Sequence, residues 1–73
     1  MNYYLRITNL VNFEKMLELQ TNDFEFAKKV FFELGENLIK TGFDLQYQYL
    51  KNGHLFIAKS IEKSIVAKLT NEK

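Results

Sequence analysis

The sequence predicts an α+β fold: a small antiparallel sheet of three to four strands with one central amphipathic helix packed on it and a short helix at the C-terminus. Three observations predict it. Apolar residues recur at helical spacing across residues 23–41, period-two alternation flanks that stretch on both sides, and Asn52-Gly53 separates two alternating runs. The chain has 73 residues, enough for one domain spanning 1–73 with a single small core. With 47% hydrophobic and 26% charged residues it has the composition of a folded globular domain rather than a disordered one.

Tyr3, Leu5 and Ile7 alternate with Tyr4, Arg6 and Thr8, which predicts a first strand with one apolar face. Asn9 to Asn12 reads as a turn. Phe13, Lys15, Leu17 and Leu19 then alternate with Glu14, Met16, Glu18 and Gln20, and the alternation predicts a strand over 13–20 although Glu, Lys, Met and Leu favour helix. The helix is expected to start at an Asn22 cap with Glu25 reaching back to it. Phe24, Ala27, Phe31, Leu34 and Leu38 form its inner face, and Thr41-Gly42 closes it.

Val30 on one flank and Phe32 and Ile39 on the other widen the apolar arc of this helix to roughly 200°, and Phe26 lies beyond it. That is more than one small sheet hides. Gly35 sits inside the arc, where it is either tolerated or marks a close approach of a strand or partner helix.

After Gly42 the period returns to two, with Phe43, Leu45, Tyr47 and Tyr49 on one face. A type I′ turn at Asn52-Gly53 would place Lys51 opposite His54, Leu50 opposite Leu55, Tyr49 opposite Phe56 and Tyr47 opposite Ala58. The tyrosine face is expected to take the helix, leaving Leu50, Leu55 and Ile57 on the other. From Ser60 onward two periods fit. Ser60 as a cap, with Ile61, Ile65 and Leu69 at four-residue steps, favours a helix over 61–70 that frays at 71–73; a strand continuing from 54 to 68 is the alternative.

Ten basic and nine acidic side chains give a net charge of +1, too little to steer the chain onto phosphate backbones. The chain has no cysteine and one histidine, which removes disulfides, thiolate sites and histidine metal clusters as ways to reinforce a small core, and leaves association with a second copy. No apolar run approaches a membrane span and the first residues lack a leader pattern, so a cytoplasmic protein is expected.

Catalytic apparatus is not legible. His54 abuts the hairpin tip, where Lys51 or solvent would meet it; the hydroxyls lack a nucleophile elbow. Glu14 with Glu18, Asp23 with Glu25, and Glu33 with Glu36 read as solvated faces, with Glu25–Lys29 and Glu36–Lys40 as helical ion pairs. The three glycines are isolated, so no phosphate loop forms. The sequence therefore predicts no enzyme, no catalytic, cofactor or metal site, and no small-molecule substrate.

Two binding readings follow. In the first, a homodimer acts as a protein-interaction module on an unknown partner protein, with Phe26, Val30, Phe32, Ile39, Leu50, Leu55 and Ile57 as the candidate interface. In the second, Lys51, Lys59, Lys63 and Lys68 bind nucleic acid beside Tyr47, Tyr49 and Phe56; residues 43–73 hold five lysines against three carboxylates.

The chain length, the helix over Asp23–Thr41, the Asn52-Gly53 turn and the Lys-, Asn- and Phe-rich, Pro-free composition resemble the small uncharacterised YopT-like proteins of SPβ-type Bacillus prophages. That resemblance implies a bacterial phage-type protein, homodimeric, with about one helix and three strands per subunit. It carries no assigned activity and no functional residues.

Overall fold

The computed structural model describes residues 2–71. The elements run β1 (Tyr3–Asn9), β2 (Glu14–Thr21), α1 (Phe24–Lys40), β3 (Asp44–Leu50), β4 (Gly53–Lys59) and β5 (Ser64–Thr70). The strands form one sheet in the order β2-β1-β5-β4-β3, with every neighbouring pair antiparallel. The α+β class holds, with five strands rather than three to four.

The extra strand is the segment expected to be helical. Ile65, Ala67 and Leu69 alternate, all three are buried, and β5 fills the centre of the sheet between β1 and β4. Two long-range ladders decide against a local helical period that was equally well satisfied. Ile61, the first residue of that period, is fully exposed in the turn before β5. Ser60 does make the i+3 bond expected of a cap, its Oγ accepting from the Lys63 N–H at 3.1 Å, but it closes a turn instead of opening a helix. Asn71 ties back to the sheet end, its N–H donating to the Asn52 carbonyl at 3.2 Å. Fraying at Glu72 and Lys73 concerns residues outside those described.

The cap of α1 moves by one residue. Asp23 is the N-cap, accepting from the Phe26 N–H at 3.1 Å, so the Asn22–Glu25 box does not form. The helix ion pairs are Lys28–Glu25 and Lys29–Glu33. At the other end Phe43 N–H donates to Leu38 O and Gly42 N–H to Ile39 O, with Gly42 at φ 99°, the left-handed stop predicted for Thr41-Gly42.

The β3–β4 hairpin closes through Lys51-Asn52, pairing Leu50 with Gly53, Tyr49 with His54 and Tyr47 with Phe56. This shifts the expected register by two residues, which preserves the faces. Gly53 sits inside β4, outside the turn, because a Cβ there would collide with the Leu69 carbonyl oxygen of β5. His54 consequently faces Tyr49, not Lys51, and lies half-buried 5.9 Å from the Phe31 ring and 5.7 Å from Phe32.

One face of the sheet carries Leu5, Ile7, Phe56, Ala58, Ile65, Ala67 and Leu69, which pack with Ala27 and Phe31 of α1 as the buried core. Phe24 meets Tyr3 of β1 at one end of the helix while Gly35 meets Leu45 and Tyr47 of β3 further along, so α1 crosses the sheet diagonally. Gly35 is the close-approach glycine: a Cβ there would strike the Tyr47 hydroxyl. The other sheet face carries no helix.

Candidate protein-interaction surface

The candidate residues divide among three surfaces. Leu50, Leu55 and Ile57 lie on the bare sheet face, each half-buried by its neighbours, beside Val66 and Lys68. Phe26 and Val30 lie on the flank of α1 away from β3. Phe32 and Ile39 lie on the opposite flank, about 20° apart around the helix axis. The Phe32 ring is 5.7 Å from Tyr47, which fixes that flank as the one overlooking β3. The seven residues are thus not one patch, and Phe32 with Ile39 are the pair that the fold joins to a sheet edge.

The same edge exposes the aromatic residues expected in the core. Tyr47 is 43% exposed and Tyr49 85% exposed, because α1 reaches β3 only as far as Gly35 lets Tyr47 approach. Tyr47 touches Phe31, Phe32 and Phe56; Tyr49 contacts His54 at 5.4 Å. Burial, with help from the Glu36 carboxylate, holds the Tyr47 hydroxyl above the usual tyrosine range. With Ile39 at 52% exposure and Leu45 half-buried, apolar and aromatic residues line β3 and the adjacent helix flank, where exposed Glu36 interrupts them between Phe32 and Ile39.

Those residues border unpaired backbone. β3 is an outer strand, and the two-residue loop makes Leu50 and Gly53 a bonded pair. By alternation, the N–H and C=O groups of Leu45, Tyr47 and Tyr49 point away from β4. Exposed edges are ordinarily blunted by charges, prolines or bulges. β3 has one charged residue, Asp44, at its very start, and its ladder with β4 is regular throughout.

The other outer strand, β2, is blunted. Its register slips opposite Ile7 and Thr8, which leaves Met16 as the extra residue of a bulge, and it carries Glu14, Lys15 and Glu18. Glu18 accepts from Arg6 at 2.9 Å and from Lys15 at 2.9 Å, and these two cations hold its carboxyl below the usual range.

The four lysines of the nucleic-acid reading do not converge. Lys51 sits at the β3–β4 turn and Lys63 in the β4–β5 turn at the opposite end of the sheet, with Lys59 near it at the end of β4, while Lys68 lies on the bare face between the two ends. An open cleft of about 470 Å3 between Thr41-Gly42-Phe43 and Ser60–Lys63 brings in Lys63 alone of the four. Among the described residues no three His, Asp or Glu side chains gather as a metal site would require, and no helix is long and apolar enough to cross a membrane. No family model, curated protein or solved structure matches the chain.

The residues along β3 were half legible. The surplus apolar arc identified Phe32 and Ile39, but no local pattern says that β3 ends the sheet, and without that Tyr47 and Tyr49 read as core.

Proposed function

We propose that this chain is a protein-interaction module of prophage type that acts in the cytoplasm as a homodimer, its copies meeting along the β3 side. The observation that carries this is the group of Leu45, Tyr47, Tyr49, Phe32 and Ile39 along an outer strand whose single charge, Asp44, stands at its start. A cysteine-free domain of 73 residues builds a core worth only about 3–5 kcal/mol, and covering those residues is the stabilisation open to it. Spread lysines and a net charge of +1 give the nucleic-acid reading no comparable support.

Size-exclusion chromatography with light scattering at micromolar concentration tests the reading, and a two-chain mass is expected. Ile39→Glu should shift the mass to one chain, whereas Phe26→Glu, on the far flank and 47% exposed, should leave it at two. One chain throughout for the unaltered protein overturns the proposal. Affinity capture from a bacterial host cytoplasm would then seek the protein on which the dimer acts.

A further inference from the structure

We infer that the two copies join by strand addition, β3 against β3 of the second copy, antiparallel and centred on Tyr47, so that the sheet continues across the twofold axis. The inference rests on the homodimer proposed above and names how it is built.

The backbone register and the side-chain pairs it creates point to it. Identical strands related by a twofold axis pair antiparallel, and the pairing must join groups that both point outward. In β3 those belong to Leu45, Tyr47 and Tyr49. Centring on Tyr47 pairs Tyr47 with its twin and Leu45 with Tyr49 of the second copy, so every outward group finds a partner. Centring two residues' worth of register to either side leaves one of the three beyond the end of the ladder.

The side chains agree with that register. On the helix-facing side, the 85% exposed Tyr49 ring would lie across Leu45 of the other copy, an aromatic–aliphatic cross-strand pair. On the bare face Gln46 would stand opposite Gln48, amide to amide, and no like charges meet there, since Asp44 faces Leu50; on the helix side the acidic group beside the axis is the exposed Glu36 of each copy. Both helices come to the same side of the joined sheet, where the Phe32 and Ile39 flanks face each other across the tyrosines.

Because the chain has no cysteine, an introduced one has no partner except in the other copy. Opposed residues have Cα atoms about 4.5–5.5 Å apart, within reach of a disulfide, whereas like residues two positions out of register stand about 7–8 Å apart. Gln46 and Gln48 are exposed polar residues outside the core, so their replacement leaves the fold intact.

Gln46→Cys and Gln48→Cys chains co-expressed and mildly oxidised should give a covalent two-chain band on a non-reducing gel, with neither variant linking to itself. Tyr47→Cys should link to itself. Self-linking of Gln46→Cys or of Gln48→Cys overturns this register. A two-chain mass by light scattering with no link in any combination overturns strand addition while leaving the homodimer standing. A one-chain mass overturns both.

Discussion

The two outer strands of this sheet are built on opposite plans. β2 carries three charged residues in eight, a bulge at Met16 and an ion pair from Glu18 to Arg6 on its neighbour. β3 has a single charge, a regular ladder and two exposed tyrosines. Both flank a core too small to be generous, so the difference is not one of available stability. An edge that stays single is ordinarily made awkward to extend, as β2 is, and β3 lacks those devices. Apolar exposure alone would not separate the two, since Met16 and Leu17 on β2 are also exposed.

The largest effect is expected where the comparison depends on β3 being in place at all. Gly53→Ala would force the new methyl into the Leu69 carbonyl, a backbone atom that cannot turn aside. The β4–β5 ladder must open, and the β3–β4 hairpin goes with it. A loss of about 1–3 kcal/mol is expected by chemical denaturation, with the hydrogen-exchange protection of β3 and β4 falling further than that of β1. An unchanged midpoint would mean that the β4–β5 ladder yields to the methyl without cost and that the Leu69 contact does not demand a glycine.

That glycine also marks how far the sequence could be read. The alternations of Tyr3 to Thr8 and of 43–50 became strands and α1 stopped at Thr41-Gly42, because these signals are local; the 13–20 alternation became a strand only from Glu14, with Phe13 left in the turn at φ 59° and the Met16 bulge breaking the period. What escaped was long-range. Asn52-Gly53 has the composition of a type I′ turn, but Gly53 is demanded by the space beside Leu69, a residue on another strand. Ile61, Ile65 and Leu69 obey a helical period, and only pairing of β5 with both β1 and β4 makes Ile65 and Leu69 part of a strand and leaves Ile61 in the turn. The exposed residues along β3 escaped in part for the same reason: the position of β3 at the edge is a property of topology, which no window of residues contains.

The next effect is on assembly. Removing the charges from β2, with Glu14→Val, Lys15→Val and Glu18→Val together, should give it an apolar edge like that of β3. If the charges are what keep β2 single, the variant should form assemblies larger than two chains, joined alternately through β3 and β2, and light scattering would show masses rising with concentration. A variant that keeps the parent's mass would shift the credit to the Met16 bulge, which re-aims the backbone regardless of side chain.

The smallest effect separates the edges by pH. Glu18 is held below the ordinary carboxylate range by its bonds to Lys15 and Arg6, so its contribution is present above the unfolded pKa and is lost as pH falls through the depressed folded value. Tyr47 is shifted the other way, by burial first and then by Glu36; the remaining rings against it, Phe31, Phe32 and Phe56, do not titrate. Its contribution is present below the ordinary tyrosine pKa and is lost as pH rises through the raised one. Acid should therefore loosen the β1–β2 pairing and alkali the β3 side. The two groups are exposed enough that global stability will barely move, and the readout must be local, such as amide chemical shifts of each strand followed across the pH range. In a dimer centred on Tyr47 the alkaline limb acquires a second signature, because ionisation adds a phenolate beside Glu36 in each copy on the side that the two helices share. Dissociation above the tyrosine pKa that disappears in Tyr47→Phe would tie that limb to the pairing; dissociation that persists in Tyr47→Phe would place the responsible group elsewhere.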